Sequence, residues 1–179
     1  MGKREVKAVF LDRDGVINHA IIRDGKAFSP RTREEFLIVE GAASAVRALQ
    51  EAGFKVLVVT NQPDIARGLL SEVDLDWMTA LVLMKTGVDD VLVCPHDDHH
   101  QCLCRKPLPG MLREGALKWG IDLTRSYMVG DGWKDMEAGK KVGCKSILID
   151  APYNETVSCD CRVKDLKSAV DLIIMDKDT

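Results

Sequence analysis

The sequence predicts an α/β fold in which helices cover both faces of a mostly parallel sheet. Short apolar runs alternate along the chain with longer segments whose apolar residues recur every three or four positions, as expected for strands alternating with helices. Several of the short runs are apolar almost throughout, as in Phe54–Val59, which is typical of strands buried on both faces. We therefore expect a three-layer, doubly wound sheet.

Six strands are expected, the last of them at an edge of the sheet. In chain order they are residues 7–11, 54–59, 90–94, 127–129, 146–149 and 157–163. Five helices connect them or follow them, at about residues 41–53, 71–86, 109–120, 135–142 and 165–175. Ser71 fits an N-cap, Pro109 opens its helix, and glycine ends three of the five helices. Residues 18–36 read as a polar loop with a turn at Ser29–Thr32.

The composition is that of an ordinary protein domain without unusual charge. The chain has 179 residues, is 46% hydrophobic and 30% charged, and carries a net charge of −3. One domain over residues 1–179 is expected, and no basic block indicates nucleic-acid binding. No apolar run approaches the roughly 20 residues of a membrane span, and Met1–Glu5 carries no apolar leader. We expect a cytoplasmic monomer.

Two carboxylates follow the first strand, one residue apart, in the run Asp12-Arg13-Asp14-Gly15. Alternate residues of an extended chain point the same way, so Asp12 and Asp14 are expected to share one space. Carboxylates held that close repel each other unless a cation or a shared proton offsets their charge. The alternative is a solvated turn, which Asp and Gly also favour.

Further polar residues follow the ends of other predicted strands. Thr60 and Asn61 come after the second strand, and Asp131 after the fourth. Open α/β sheets bind ligands at the carboxyl ends of their strands, so these groups are expected to converge. Arg105 and Lys106 add positive charge suited to phosphate.

This set of groups can transfer a phosphoryl group. Asp12 can attack as a nucleophile and Asp14 can serve as acid and then as base. Asp131 completes a set of hard oxygen ligands suited to Mg²⁺. Asp135 is expected behind these groups, where it would order Lys106 or the metal.

The order of these groups resembles the four motifs of the haloacid dehalogenase-like (HAD) hydrolase superfamily. The resemblance is closer to one branch, which contains the D-glycero-D-manno-heptose 1,7-bisphosphate 7-phosphatases and the histidinol-phosphate phosphatases. It rests on residues 10–18, 60–62, 65–68 and 104–111, and it spans about residues 6–175.

That resemblance implies a HAD-like Rossmannoid fold without a large cap domain, and a role for each motif residue. Asp12 would be the nucleophile and Asp14 the acid and base, while Thr60 and Lys106 steady the phosphoryl group. Mg²⁺ would be held by Asp12, Asp131 and the backbone carbonyl of Asp14. The residues expected to contact the substrate are Arg13, Asn18, Asn61, Gln62, Arg105 and Lys106.

A loop rich in cysteine and histidine precedes Arg105. Cys94, His96, Cys102 and Cys104 lie within eleven residues, and thiolate with imidazole suits tetrahedral Zn²⁺. Such an ion would staple an otherwise irregular loop, as the resemblance also implies. Further polar residues of the loop remain open as substitute ligands: Asp97, His99 and His100. Incidental thiols in a polar loop are the alternative.

Two features depart from the branch and bear on substrate choice. The loop between the Cys/His pairs is shorter than usual, and Pro63-Asp64 stands where Ser-Gly is typical. Proline removes a backbone donor, and Asp64 would place negative charge near a phosphorylated ligand.

The sequence therefore predicts a Mg²⁺-dependent phosphatase acting on a small phosphorylated sugar, with a heptose 1,7-bisphosphate as the first choice. The resemblance implies a place in nucleotide-heptose supply for lipopolysaccharide. Histidinol phosphate or another phosphomonoester is the alternative substrate. A zinc-stapled binding module with vestigial acids is the alternative outside enzymes.

Overall fold

The structure, a computed structural model, describes residues 6–176. The strands in this range are β1 (Ala8–Leu11), β2 (Ile21–Arg23), β3 (Lys26–Phe28), β4 (Lys55–Asn61), β5 (Asp90–Cys94), β6 (Tyr127–Gly130), β7 (Lys145–Ile149) and β8 (Cys161–Val163). The helices are α1 (Ala42–Glu51), α2 (Glu72–Thr86), α3 (Gly110–Trp119), α4 (Trp133–Lys140) and α5 (Leu166–Met175). The prediction for Met1–Glu5 lies outside the described residues.

Six strands form one sheet in the order β5-β4-β1-β6-β7-β8, and every neighbouring pair is parallel. β1 and β6 lie side by side at its centre, where the direction of winding reverses. The carboxyl ends of both strands therefore open into the same crevice. The predicted parallel α/β sheet is confirmed.

Helices cover both faces of this sheet, as predicted for three layers. On one face α1, α2 and α5 pack on the β1 side chains Val9 and Leu11. On the other face α3 and α4 pack on Ala8 and Phe10. Successive residues of β1 thus serve opposite cores, and this explains why its sequence is apolar throughout.

A small antiparallel hairpin, β2–β3, occupies the segment predicted as a loop. Its turn is Asp24-Gly25, where both residues have positive φ, 49° and 72°. That pair favours the tight turn that matches the twist of two strands. The hairpin is the regular structure between β1 and α1, so the expectation that no large cap domain is inserted there is confirmed.

Several element boundaries differ from prediction, most of them by one or two residues. α4 begins at Trp133 rather than at Asp135, because the Asp135 carboxylate accepts the Gly132 N–H and caps the helix start. β4 runs on to Asn61, which pairs with Cys94. The edge strand β8 is shorter than expected. Within residues 6–176, no helix has the length and apolar character needed to cross a membrane.

Candidate active site

The ends of β1 and β6 bring together the two acid motifs that are far apart in sequence. Carboxylate oxygens of Asp12, Asp131 and Asp135 all lie within 4.8 Å of one another. Gly15 makes this close approach feasible, since a Cβ there would collide with the Asp131 carboxylate. Its φ of +84° also favours glycine. Three carboxylates thus crowd one end of the sheet.

Lys106 lies among these acids and is almost completely buried. Its Nζ is 2.9 Å from Asp12 Oδ1, and it donates to Asp135 Oδ1 at 2.6 Å and to the Val59 carbonyl at 2.7 Å. Asn61 fixes the backbone here, since its side chain pairs with both the N–H and the carbonyl of Lys106. The structure therefore places Asp135 against Lys106, where the sequence expected it.

The crowding changes how these groups hold protons. Burial, reinforced by the charge of Asp135, raises the pKa of Asp12 well above its ordinary range. The same two causes raise the pKa of Asp131 to about 6. Burial opposes the charged form of Lys106, but Asp12 and Asp135 outweigh it and raise the pKa of this lysine. The site therefore holds more negative charge than Lys106 alone offsets.

Asp14 lies in a separate cradle of donors. Burial opposes its ionised form, but the Arg13 guanidinium and hydrogen bonds from Ser29, Asn18 and Gln62 outweigh it and lower its pKa. Arg13 contacts both carboxylate oxygens, at 3.0 and 3.1 Å. Ser29 donates at 2.6 Å, Gln62 at 2.8 Å and Asn18 at 2.9 Å.

This cradle contains three residues for which the sequence predicted another role. Arg13, Asn18 and Gln62 were expected to contact the substrate, yet each is fully buried and directed towards Asp14. Thr60 is also buried at the end of β4, and its hydroxyl accepts from Gln62 at 2.9 Å. The three residues are therefore placed to hold Asp14 rather than to face a ligand.

A cavity of about 420 Å³ opens above the acids. Three cationic side chains line it besides Lys106, namely Arg67, Arg105 and Lys134. Burial and the charge of Arg105, with a smaller contribution from Arg67, lower the pKa of Lys134, which shows that these cations lie close together. Lys134 is thus part of the cavity wall and is half-buried.

The mouth of the cavity has an apolar side. Phe28 on β3 and Trp133 at the start of α4 both line it. Their exposed fractions are 39% and 53%, which are large for aromatic side chains. The cavity thus combines charged and aromatic walls, as small-molecule sites commonly do.

The four predicted ligands of the Cys/His loop converge beside this cavity. Ligand atoms of Cys94, His96, Cys102 and Cys104 lie within 4.8 Å of one another. The sulfur of Cys94 is 3.0 Å from that of Cys104 and 3.7 Å from that of Cys102. Tetrahedral Zn–S bonds of about 2.3 Å require sulfurs about 3.8 Å apart, so this group could hold a metal ion.

The substitute ligands lie elsewhere in the loop. Asp97 pairs with Arg67, and His100 Nδ1 accepts the Asp97 N–H at 3.3 Å. Burial raises the pKa of Cys94 and Cys104, so both thiols stay protonated unless a cation is near. Metal binding and thiol ionisation are therefore linked at this site.

Asp64, the departure noted in the sequence, is neutralised by two arginines. Its buried carboxylate accepts from Arg31 Nε at 2.6 Å and from Arg67 at 3.3 Å. Negative charge at this position is thus already paired before a ligand enters.

Comparison with known proteins identifies the family. The family model of haloacid dehalogenase-like hydrolases matches residues 20–143. The chain is 41% identical, over 76% of its length and 79% of the relative's, to a D-glycero-β-D-manno-heptose-1,7-bisphosphate 7-phosphatase of Rhodopseudomonas palustris. The chain belongs to the haloacid dehalogenase-like hydrolases. The resemblance to the heptose bisphosphate phosphatase branch is confirmed as well.

Other relatives of this hydrolase point the same way. The enzyme of the same name from Escherichia coli is 36% identical, over 81% of this chain and 80% of its own. A solved structure of D,D-heptose 1,7-bisphosphate phosphatase from B. bronchiseptica, complexed with magnesium and phosphate, is 29% identical. It superposes with a TM-score of 0.81 over 94% of this chain and 98% of its own.

The structure of this hydrolase also contains site residues that the sequence did not indicate. Tyr153 donates its hydroxyl proton to Asp131 Oδ2 at 2.5 Å, and Asn154 donates to the Asp131 backbone carbonyl at 2.8 Å. Ser29, on the segment after the hairpin, reaches Asp14. These contacts join residues 15 to 23 positions apart in loops, so no spacing pattern announces them.

Proposed function

We propose that the chain is a Mg²⁺-dependent phosphatase that removes the 7-phosphate from D-glycero-D-manno-heptose 1,7-bisphosphate or a closely related sugar bisphosphate. The observation that carries the proposal is the convergence of Asp12, Lys106, Asp131 and Asp135 at the floor of a cavity lined by further cations. These four residues come from three motifs that are distant in sequence, in a chain of the phosphatase branch.

Asp12 is proposed as the nucleophile. Its carboxylate attacks phosphorus, the bond to the sugar oxygen breaks, and an aspartyl-phosphate forms. Lys106, 2.9 Å from Asp12, helps to keep the nucleophile ionised and offsets charge on the phosphoryl oxygens. Thr60 and Asn61 are proposed to shape the floor beneath that group.

Asp14 is proposed as the acid and then the base. It gives a proton to the departing sugar oxygen, and later takes one from the water that hydrolyses the aspartyl-phosphate. Its cradle favours the ionised form in the free protein. An incoming phosphate brings negative charge, which raises the pKa of a nearby carboxyl and allows it to carry the proton.

The donor set at the end of β1 and β6 fits Mg²⁺. Asp12 and Asp131, with the backbone carbonyl of Asp14, would hold the ion, and Asp135 would order Lys106. Hard oxygen donors of this kind suit Mg²⁺, and the raised pKa values of Asp12 and Asp131 indicate uncompensated negative charge. When bound, Mg²⁺ would offset that charge and polarise the phosphoryl oxygens.

The Cys/His group is proposed to hold a structural Zn²⁺. Three sulfurs and one imidazole nitrogen form a closed set with no position left for a substrate. The ion would keep the loop that precedes Arg105 and Lys106 in one conformation.

Two features of the cavity support a sugar bisphosphate as the substrate. The cations Arg67, Arg105 and Lys134 offer a place for a second phosphate, away from the nucleophile. Phe28 and Trp133 offer ring faces against which the C–H groups of a sugar can pack. Arg105 and Lys106 are thus proposed to contact the substrate, as expected from the sequence.

The test is a comparison of kcat/KM among three phosphorylated compounds with Mg²⁺ present. We expect heptose 1,7-bisphosphate to exceed histidinol phosphate by at least tenfold, which corresponds to about 1.4 kcal/mol. A heptose 7-monophosphate should fall between them. A preference for histidinol phosphate would reject the proposed substrate, and no phosphate release from any compound would favour a binding module.

The remaining expectations stay predictions: one domain over residues 1–179, a monomer, and a cytoplasmic location. Light scattering of the purified chain tests the second, with a mass near 19.8 kDa expected for a monomer.

A further inference from the structure

Two neighbouring carboxylates of the Cys/His loop each hold one arginine of the cavity. Asp97 accepts from Arg67 Nε at 2.5 Å, and Asp98 accepts from Arg105 Nε at 2.7 Å. Arg105 also donates to the His96 carbonyl at 3.3 Å. Both arginines line the cavity. The loop therefore reaches the substrate space through two ion pairs, separate from its four candidate metal ligands.

The backbone fixes the first of these two carboxylates, that of Asp97. Asp97 is the N-cap of the short 3₁₀ turn Asp98–His100, and its carboxylate accepts the Asp98 N–H. This turn lies between His96 and Cys102, so the two halves of the Cys/His group enclose it. A carboxylate held by its own backbone contacts loses little entropy when it binds a partner.

These contacts leave one nitrogen of each guanidinium available to a ligand. Among the described residues, the contacts of Arg67 use Nε and Nη1, as do those of Arg105. Nη2 of each is the nitrogen that remains, and a planar guanidinium held at both Nε and Nη1 presents Nη2 in a fixed direction.

We propose that Asp97 and Asp98 are positioning residues that orient Arg67 and Arg105 towards the second anionic group of the substrate. This inference rests on the proposed function. Neither carboxylate touches the reacting phosphoryl group. Each acts through its arginine, so its removal should weaken binding of the second phosphate more than it slows the chemical steps.

The test is the double variant Asp97→Asn/Asp98→Asn, assayed on a sugar bisphosphate and on the matching monophosphate. We expect KM for the bisphosphate to rise about tenfold relative to KM for the monophosphate, with a smaller change in kcat. Replacing Asp98 by Glu instead of Asn (Asp98→Glu) should recover part of the loss, because glutamate keeps the carboxylate. The matched control is Asp74→Asn, which removes a surface carboxylate paired with Arg33 at 2.7 Å.

Three results would overturn the proposal. An unchanged or lower KM for the bisphosphate would mean that the carboxylates only mask positive charge. Equal losses on both substrates would mean a general disturbance of the site, as would a lower metal content or melting temperature. Calorimetric binding of fructose 1,6-bisphosphate as an anion probe needs no turnover. Weaker binding of this probe by the double variant would support the positioning role, even if the wild-type protein hydrolysed no sugar bisphosphate. The lack of hydrolysis would reject only the proposed function.

Discussion

Aspartates lie at both ends of the central sheet, and the acids that crowd together at the carboxyl ends differ from the aspartates at the amino ends. At the amino ends, Asp89, Asp90 and Asp160 each have donors placed around them, and the pKa of each is lowered. At the carboxyl ends, Asp12 and Asp131 crowd together with Asp135, and the pKa of both is raised. The contacts at the amino ends stabilise the fold, whereas the crowded carboxylates at the carboxyl ends leave negative charge that a cationic ligand can offset.

Several of the donors at the amino ends come from the sheet itself. Burial opposes the ionised form of Asp89, but Lys55, at 2.6 Å, and the Val56 N–H, at 2.9 Å, outweigh it. Asp160 accepts from both the N–H and the hydroxyl of Ser146. Among the described residues, the side-chain donors to the three crowded acids are Lys106, shared by Asp12 and Asp135, and Tyr153, which donates to Asp131; the backbone N–H groups of Arg13 and Gly132 add one contact each to Asp12 and Asp135. The contrast suggests that an aspartate with few donors beside others of its kind marks a site rather than a structural contact.

The largest expected effect is on catalysis, from Asp12→Asn. We expect phosphate release to fall by about 10⁴-fold or more, because the amide cannot form the aspartyl-phosphate. The metal-free variant should melt at or above the wild-type temperature, since one of the crowded charges is gone. If a phosphate-release assay gave an activity within tenfold of wild type, the proposal that catalysis takes place at the carboxyl ends of the sheet would be wrong.

The next effect compares two lysines that each pair with aspartate. Lys106→Met removes a buried cation shared by two carboxylates, and we expect a loss of about 3–5 kcal/mol of unfolding free energy in metal-free protein. Lys55→Met removes a partly exposed partner of Asp89, and we expect a loss of at most about 1 kcal/mol. Urea denaturation of both variants measures the difference. Equal losses would contradict the contrast between the two ends.

The third effect is a pH dependence with opposite sign at the two ends. Asp131 has a folded pKa of about 6, above its unfolded value of about 3.9. Metal-free protein should therefore lose stability as pH rises from about 4 to about 6, by roughly 3 kcal/mol from this group. Asp131→Asn should remove that decline, and saturating Mg²⁺ should reduce it in wild type. Melting temperatures across this range test the prediction, and a flat wild-type profile would contradict it.

The smallest effect comes from Asp89→Asn. The lowered pKa of Asp89 means that its contribution is present above the unfolded pKa of about 3.9 and is lost as pH falls through the folded value. We expect a loss of about 1 kcal/mol at neutral pH, which shrinks towards zero at acid pH. Activity with Mg²⁺ should stay at the wild-type level, since the residue lies at the far end of the sheet.

Much of the site could be predicted because its residues occupy strand ends. Parallel strands bring their carboxyl ends to one edge, so Asp12, Thr60 and Asp131 could be placed together without coordinates, whereas Lys106 follows a loop and was placed there by the resemblance. The Cys/His group could also be predicted, because its four residues are close together in the sequence of one loop. The parallel sheet follows from apolar runs that serve two cores at once.

What could not be predicted is the direction of buried polar side chains. Arg13 lies inside an active-site motif, but it points towards Asp14, stacked over the Phe36 ring at 5.1 Å. Only the packing of a distant segment decides this. The β2–β3 hairpin is a different case, because Asp24-Gly25 between apolar residues is a recognised hairpin signal that the composition of the loop obscured.

Gly15 has a consequence for ion selectivity. The loop that follows Asp12 and the loop that carries Asp131 meet where the Gly15 backbone lies against the Asp131 carboxylate. No Gly15 side chain stands between the two loops. Mg²⁺ and Ca²⁺ differ by only a few tenths of an ångström in their distances to oxygen. A gap bounded by main chain on one side adjusts little on that scale, so we expect a metal site between these loops to bind Mg²⁺ more tightly than Ca²⁺.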